Sequence, residues 1–255
     1  MRVVALYSIK GGVGKTAAAV NLAYLAAATG RRVLLWDLDP QGATSFYYRV
    51  KAKVKGGAAR LLAKDADPER AVKGTDYPGL DLLPADFSYR YMDLLLNDKK
   101  HPEERLARIF APLAESYDLV LIDCAPGITL VSENLFRTTD AMLIPIVPTP
   151  LSLRTYDQLE AHLGPSSAPR VWPFFSLVDR RKRLHQEVMV GFRATHPITL
   201  GAEIPYASQV ERMGVERAPL PTFSPRDPAS EAYRALAEEA LSRLDTLPRH
   251  PRQPR

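Results

Sequence analysis

Residues 3–29 read VVALYSIKGGVGKTAAAVNLAYLAAAT and place a glycine-rich loop between an apolar run and an alanine-rich run. The apolar run Val3–Ser8 lacks the alternating polar residues of a half-exposed strand, which is typical of a strand buried on both faces. The second run, Lys15–Thr29, is followed by Gly30, and glycine commonly terminates a helix. This part of the chain therefore predicts a strand, a tight loop and a helix.

Apolar runs and longer helical patterns alternate along the rest of the chain. Further strands are predicted at Val33–Asp37, Leu80–Pro84, Leu119–Asp123, Ala141–Val147, Val171–Leu177 and Ile198–Glu203. Further helices are predicted at Pro102–Ser116, Thr129–Thr138, Ser152–Leu163, His185–Thr195 and Pro228–Leu244. This alternation predicts an α/β fold, a doubly wound and mostly parallel sheet flanked by helices. We expect a single domain over residues 1–246 and a basic, proline-rich, disordered tail over residues 247–255.

The composition restricts the class of protein. The chain has 255 residues, 46% of them hydrophobic and 25% charged, which is ordinary for a globular protein. Its single cysteine, Cys124, excludes an internal disulfide framework and a multi-cysteine metal site, and favours the cytoplasm. The apolar run Ala141–Val147 contains Pro145 and is too short to span a membrane. A net charge of +5 is compatible with a nucleic-acid partner and equally with solvated basic faces.

The glycine-rich loop has the residues of a phosphate-binding loop. Glycines let the backbone wrap closely around phosphate oxygens, and the helix that follows directs its positive dipole end at them. Lys15 would reach the β- and γ-phosphates, and the Thr16 hydroxyl would bind Mg²⁺. The strict pattern is not met, because Ile9 stands where its first glycine belongs and a second lysine, Lys10, opens the loop. The expected nucleotide-binding residues are Lys10, Gly11, Gly12, Val13, Gly14, Lys15, Thr16 and Ala17.

The loop resembles the deviant Walker A box of the ParA/MinD family, K-G-G-x-G-K-[ST]. The resemblance implies an ATPase that uses ATP and Mg²⁺, hydrolyses ATP slowly and forms a homodimer when ATP binds. It also implies that Lys10 reaches the nucleotide held by the partner subunit. A positive charge supplied in this way would stabilise the transferring phosphoryl group, and it would make dimerisation depend on the γ-phosphate.

Two strands end in carboxylates. Asp37-Leu38-Asp39-Pro40-Gln41-Gly42 matches the family's switch I box, which implies that Asp39 orients the attacking water while Asp37 supports the magnesium neighbourhood. The alternative is that both carboxylates cap the following turn. Asp123 ends an apolar strand in the manner of a Walker B element. We expect Lys10, Lys15 and Asp39 to be catalytic, and the metal to be held by Thr16, Asp39 and Asp123.

The segments after these strands match the family less closely. Residues 124–127 resemble its switch II, with Ala125 and Gly127 in place of a proline and a small polar residue, and Cys124 is expected to pack as a buried residue.

Asn134 matches a frequent family asparagine or is a surface polar residue. Arg154 is an interface residue or a helix-surface charge. Near the adenine pocket the usual asparagine is missing, so backbone groups or Ser176 would read the base.

The resemblance is closest to small ParA-type proteins, which implies non-specific DNA binding by the ATP dimer through basic residues of the C-terminal half. It implies positioning or segregation of a cargo, namely a plasmid, a chromosome region or a protein cluster. Hydrolysis would be stimulated by a ParB-like or other adaptor, in a cytoplasmic protein that associates with the nucleoid in its ATP state and not with membrane. The candidate DNA contacts are Arg180, Arg181, Lys182, Arg183, Arg212 and Arg217, with a solvated basic helix turn as the alternative.

Three other functions occur on this fold. A MinD-like membrane switch requires a C-terminal amphipathic helix with bulky apolar and lysine faces, whereas this terminus has alanines, prolines and arginines. A metabolic ATP-dependent ligase or amidase, such as the dethiobiotin or cobyrinate enzymes, generally lacks the lysine that Lys10 provides. A nitrogenase-type iron protein is excluded because it needs two cluster cysteines in each subunit.

Overall fold

A single sheet organises the molecule. The computed structural model describes residues 1–63, 65–97, 105–163 and 170–248. Its strands are β1 (Arg2–Leu6), β2 (Val33–Asp37), β3 (Lys73–Gly74), β4 (Leu80–Leu83), β5 (Leu119–Asp123), β6 (Ala141–Ile146), β7 (Arg170–Val178) and β8 (Glu203–Pro205). They form an eight-stranded sheet in the order β3-β4-β2-β5-β1-β6-β7-β8. Only β3 and β4 pair in antiparallel fashion within the described residues, so the predicted fold class is confirmed.

Helices cover both faces of the sheet. They are α1 (Lys15–Ala28), α2 (Ala43–Tyr47), α3 (Gly57–Leu61), α4 (Met92–Asn97), α5 (Arg105–Leu113), α6 (Leu130–Thr138), α7 (Pro150–Leu163), α8 (Arg183–Thr195), α9 (Ser208–Glu216), α10 (Leu220–Phe223) and α11 (Pro228–Thr246). Two 3-10 helices, Pro68–Ala71 and Phe87–Tyr91, lie before β3 and α4. None of the described helices combines the length and the apolar character needed to cross a membrane.

Each central strand contributes to two hydrophobic cores. In β1, Val3 and Ala5 pack into the core under α4 to α8, while Val4 and Leu6 pack into the core under α1 and α9 to α11. All four side chains are fully buried. Successive strand residues point to opposite faces, and therefore both sets must be apolar. This explains the absence of polar alternation in the sequence.

The structure corrects the last predicted strand and adds several short elements. Residues 198–202 are not a strand: the Gly201 amide donates to the carboxylate of Glu239 at 2.7 Å, and pairing with β7 begins only at Glu203. The predicted helix Pro102–Ser116 is α5, Arg105–Leu113, and residues 102–104 lie outside the described part. Of the predicted tail, residues 249–255 also lie outside it. The short elements α2, α3, α4, α9, α10 and β3 were not predicted.

The three central strands end at one level. Leu6 of β1 and Asp37 of β2 both lie opposite Asp123 of β5 in the parallel register. The glycine-rich loop leaves β1 at this edge, and the short helix α2 follows β2 there. In such sheets ligands bind beyond the carboxyl ends of the strands. The fold thus collects the loop and the acidic residues at one edge.

Candidate nucleotide-binding site

The glycine-rich loop has a backbone that only glycine adopts easily. Gly12 and Gly14 have φ angles of +71° and +93°, in the left-handed region. At Gly14, a Cβ atom would also lie 2.6 Å from the hydroxyl of Ser176. Gly14 is therefore required for its backbone angle and for the close approach of β7. Gly11 and Gly12 are exposed at the loop surface, and α1 begins directly after Gly14.

Lys15 is folded back into its own loop. Only 7% of the residue is exposed, and its Nζ donates a hydrogen bond to the carbonyl of Lys10 at 3.1 Å. Burial lowers the pKa of Lys15, and the nearby charges of Asp123 and Asp39 act in the opposite direction. A buried ammonium group in a loop of backbone amides suits an anion. In the nucleotide-free protein the Lys15 ammonium donates to one carbonyl, whereas a bound phosphate would accept charge-assisted hydrogen bonds from it.

Lys10 stands at the mouth of the loop. Its amide donates to the hydroxyl of Ser8 at 3.2 Å, and its side chain is half-buried. Lys10 lines a shallow cleft together with Thr155 and Tyr156 of α7. The two lysines of the loop therefore have different positions: Lys15 points inward, and Lys10 borders the surface beside α7.

Asp123 is a buried carboxylate with one unsatisfied oxygen. Its Oδ2 accepts a hydrogen bond from the Thr44 hydroxyl at 2.7 Å, while Oδ1 has no hydrogen-bond partner among the described residues. Burial raises its pKa to about 6, against the lowering effect of the Thr44 and Thr16 hydroxyls and of Lys15. An orphaned carboxylate oxygen beside a hydroxyl fits a hydrated Mg²⁺, which prefers oxygen ligands and retains several waters.

Asp37 faces the same region from the adjacent strand. Its Oδ2 accepts hydrogen bonds from the amide and the hydroxyl of Ser45, both at 2.7 Å, and its Oδ1 has no partner among the described residues. Burial and the charge of Asp123 raise its pKa to about 7. Asp37 therefore holds α2 in place, which agrees with a supporting role and also with the turn-capping alternative.

Asp39 is half-buried, and its Oδ1 accepts from the amide of Gln41 at 2.9 Å, so it also caps its turn. Its charge nevertheless acts on the site, since it raises the pKa of Asp37 and of Asp123. The structure thus brings Lys15, Thr16, Asp39 and Asp123 together. Sequence reasoning missed Thr44 and Ser45, although two hydroxyl residues directly after the switch I box were a usable signal.

The structure decides two predictions for the segment that follows β5, on Cys124 and on Asn134. Cys124 is 2% exposed, which confirms the prediction that it packs as a buried residue. The Tyr7 hydroxyl donates to the carbonyl of Gly127 at 2.8 Å and fixes the switch II turn. Asn134 is 1% exposed, so the surface alternative for this residue is wrong. Its side chain donates to the carbonyl of Leu130 and accepts from the amide of Leu106, which ties α6 to α5.

Two of the weaker predictions can be placed. Ser176 is 2% exposed and lies against Gly14, beneath the loop. Leu177, the next residue, has a φ angle of +54°, and the pairing of β7 with β8 shifts register between Phe175 and Val178. Arg154 is exposed on α7. A role of Ser176 or of backbone groups in reading the adenine stays a prediction.

The candidate DNA contacts do not form one continuous stripe. Residues 180–182 precede α8 and Arg183 begins it, and this helix packs on one face of the sheet. Arg212 belongs to α9 on the other face, and Arg217 directly follows that helix. Several of them already have acidic partners: Arg180 with Glu203 at 3.1 Å, Arg181 with Asp179 at 2.9 Å, Arg183 with Glu187 at 2.7 Å and Arg212 with Glu216 at 3.0 Å. Arg217 donates to the Phe46 carbonyl and stacks over its ring, which links α9 to α2.

The sheet, the glycine-rich loop and the buried carboxylates define a P-loop nucleotide-binding fold, and comparison with known proteins agrees. A family model described as an AAA domain matches residues 1–164. An uncharacterized protein of Pseudomonas putida is 37% identical over 146 residues, a match that spans 57% of this chain and only 56% of that relative's length.

Two relatives match over nearly the whole chain. The sporulation initiation inhibitor protein Soj of Bacillus subtilis is 31% identical over 94% of this chain and 98% of its own. The chromosome partitioning protein ParA of Caulobacter vibrioides is 30% identical, with 95% of each chain covered. The chain belongs to the ParA/MinD family of P-loop ATPases.

Solved structures share the fold. Cobyrinic acid a,c-diamide synthase of Mycobacterium smegmatis, solved with ADP and magnesium, has a TM-score of 0.76 at 25% identity, with 96% of each chain covered. McdA of Cyanothece, solved as a variant in complex with ATP, has a TM-score of 0.80 at 20% identity, with 95% of this chain and 96% of that one covered. Both structures hold an adenine nucleotide.

Proposed function

We propose that this protein is a ParA-like switch that binds ATP with Mg²⁺, dimerises in that state and returns to monomers after slow hydrolysis. One observation supports this most directly: the loop has two lysines in different positions. Lys15 is buried and hydrogen-bonded within its own loop, while Lys10 lies at the surface of the same loop. The first suits the nucleotide of its own subunit, and the second is free to serve the nucleotide of a partner.

The acidic residues would complete the site around bound nucleotide. Mg²⁺ would neutralise charge on the phosphate oxygens when bound. Asp123 and Thr16 would hold it, and the Oδ1 of Asp123 is available because it has no hydrogen-bond partner among the described residues. Asp39, the more exposed carboxylate, would orient the attacking water. Asp37 would keep its bonds to Ser45 and fix the position of α2.

The biological role that we propose is the positioning or segregation of a cargo, a plasmid, a chromosome region or a protein cluster. This rests on the likeness to Soj and to the ParA of Caulobacter vibrioides over nearly the whole chain. The ATP dimer would bind DNA non-specifically and associate with the nucleoid. A ParB-like or other adaptor would stimulate hydrolysis and release the dimer.

We propose that basic residues of the C-terminal half contact DNA phosphates, in two groups that lie on opposite faces of the sheet. Removing the charges of Arg180, Arg181, Lys182 and Arg183 would weaken ATP-dependent binding to DNA of any sequence. The same loss is expected for Arg212 and Arg217. Phosphate contacts carry no sequence information, and each one adds to the salt dependence of binding.

A membrane-bound switch is the less favoured alternative. In α11 the apolar face, which includes Tyr233, Leu236, Ala237 and Ala240, is buried against the sheet and α1. Within the described residues this helix offers no free apolar face to a bilayer. An amidase or ligase of the same fold is favoured only by the likeness to the cobyrinic acid synthase, and Lys10 argues against it.

The test is ATP-dependent association. Sedimentation velocity with the full chain should give a monomer with ADP and a dimer with Mg-ATP. Co-sedimentation with DNA should require ATP and weaken as salt rises. Binding to vesicles of anionic lipid but not to DNA would favour the membrane alternative. Turnover of a carboxylic acid and an amine donor without dimerisation would favour the amidase alternative.

A further inference from the structure

A lysine-rich segment follows α2, the short helix after the switch I box, and none of its lysines was placed in the nucleotide site. Residues 40–64 contain no aspartate or glutamate, and Lys51, Lys53 and Lys55 lie within five residues of one another. All three lysines are exposed. We infer that this segment, which we call the lysine segment (residues 49–55), is a second phosphate-contacting surface for DNA in the ATP state. The inference rests on the proposed function, and it names the surface through which the protein would bind DNA.

These lysines differ from the neighbouring arginines in having no acidic partner. Arg49 pairs with Asp76 at 3.1 Å, and Arg60 pairs with Asp65 at 2.9 Å. In the described parts of the chain no carboxylate lies within ion-pair distance of Lys51, Lys53 or Lys55. Burial acts to raise the pKa of Asp86, but hydrogen bonds from Ser88 and Val54 lower it, and the charge of Lys53 adds a smaller lowering effect. Three ammonium groups that form no ion pair with the described residues are therefore concentrated on one short segment.

The segment is held in place by its apolar residues. Val54 is 5% exposed and packs into the core under α4 to α8, and its amide donates to Asp86 at 2.8 Å. Val50 packs against the opposite core, so the chain crosses the carboxyl edge of the sheet between them. Ala52 lies next to Gly42, where a Cβ atom would come within 3.1 Å of it. The lysines consequently project from a fixed backbone at the same edge as the nucleotide site.

The chemistry of the segment fits a polyphosphate backbone better than a lipid bilayer. A lysine ammonium is a compact charge that binds phosphate without fixed geometry, which suits contact with any DNA sequence. Peripheral membrane binding also needs apolar side chains that enter the bilayer. The two valines of the segment point inward, and the residue between Lys51 and Lys53 is an alanine.

A short chain of hydrogen bonds joins this surface to the nucleotide site. Thr44 and Ser45 of α2 hydrogen-bond to Asp123 and Asp37, and the carbonyl of Ser45 accepts from the amide of Val50. A shift of α2 when Mg-ATP binds would therefore reach Val50, at the start of the lysine segment, through this hydrogen bond. This linkage gives a physical reason for DNA binding to depend on ATP.

The test compares two triple variants of the full chain that lose the same charge. The first is Lys51→Gln/Lys53→Gln/Lys55→Gln. The control is Lys73→Gln/Arg137→Gln/Arg170→Gln, which removes three exposed cations that lie outside both proposed DNA surfaces. Binding to a DNA fragment of random sequence is measured with Mg-ATP over a range of salt concentrations. The thermal unfolding midpoint of each variant checks that it folds.

We expect the lysine variant to bind DNA at least about tenfold more weakly than the control, because three phosphate contacts are lost. The slope of log K against log salt should fall by about 2.7, since each contact contributes about 0.9. A lysine variant that binds like the control, while the wild type binds DNA, overturns this inference alone. A wild type that does not bind DNA with ATP overturns the DNA part of the proposed function as well. Loss of binding to phosphatidylserine vesicles with DNA binding intact also overturns the inference.

Discussion

Asp37 and Asp123 lie directly opposite each other in adjacent parallel strands, and consecutive residues of one short helix satisfy one oxygen of each. Ser45 binds Asp37, Thr44 binds Asp123, and the second oxygen of each carboxylate has no hydrogen-bond partner among the described residues. Burial, and after it repulsion from the charge of Asp123, raises the pKa of Asp37 to about 7. The arrangement makes α2 sensitive to a cation or a proton at this edge of the sheet.

Replacement of Ser45 should destabilise the fold. In Ser45→Ala, Asp37 loses one hydrogen bond, and the buried amide of Ala85, which donates to the Ser45 hydroxyl at 3.0 Å, loses its partner. We expect a loss of about 1–3 kcal/mol in the free energy of unfolding, measured with urea. Ser208→Ala, at an exposed position on α9, is the control and should change the free energy by less than about 0.5 kcal/mol. If Ser45→Ala lowered the free energy of unfolding no more than Ser208→Ala does, the Ser45 contacts would add no stability.

The stability of the nucleotide-free protein should fall as pH rises from about 4 to about 7 through Asp37. Its pKa is about 7 in the folded protein and 3.8 is the ordinary value, so the fold favours the protonated form. The stabilisation is complete below the ordinary pKa and is lost as pH rises through the folded one. Urea unfolding of Asp37→Asn without magnesium should show a smaller decrease over this range. An identical pH profile in the two proteins would contradict the assignment.

Gly14 should tolerate no side chain. In Gly14→Ala the new Cβ would meet the Ser176 hydroxyl at 2.6 Å, and the backbone would remain at a φ of +93°. We expect loss of nucleotide binding by titration calorimetry. Adding Ser176→Ala should not restore it, because the backbone strain persists. Gly191→Ala is the matched control: this glycine lies in α8 outside the loop, no atom lies within 4 Å of a Cβ there, and the variant should retain nucleotide binding.

The two loop lysines should give different phenotypes. Lys15→Gln should abolish nucleotide binding, because the buried ammonium group serves the nucleotide of its own subunit. Lys10→Ala should keep much of the nucleotide affinity yet lose dimerisation and turnover. Calorimetry with an ATP analogue, sedimentation and phosphate release separate these properties. Normal dimerisation and hydrolysis by Lys10→Ala would mean that no lysine acts across the interface.

Removal of the proposed water-orienting carboxylate should trap the ATP state. Asp39→Ala should bind Mg-ATP, dimerise and remain on DNA, with phosphate release reduced by about 10²-fold or more. Asp39 is half-buried and forms a turn with Gln41, so the fold should survive its loss. Rapid hydrolysis by this variant would assign the role to another group.

The central part of the fold could be predicted from the sequence because its signals are local. Val33–Asp37 and Leu119–Asp123 are uninterrupted apolar runs that end in carboxylates, and both strands have these bounds in the structure. The loop was found because its glycines and lysines are contiguous. These signals also placed Thr16, Asp39 and Asp123 at one edge of the sheet.

The remaining features depend on contacts between distant residues. The start of the strand Glu203–Pro205 depends on distant contacts, since the amide of Gly201 donates to Glu239 and pairing with β7 begins at Glu203. The division of the arginines between two faces follows from the crossing of the chain between α8 and α9, which no local pattern encodes. The lysine segment is visible in the sequence, but its lack of acidic partners required the structure.

The most direct test is the mass of the protein in solution with and without Mg-ATP, measured by sedimentation velocity on the wild type and on Lys10→Ala. The account predicts a wild-type dimer that forms with Mg-ATP and not with ADP, and a variant that stays monomeric in both. A wild type that remains a single subunit when Mg-ATP is bound would contradict it.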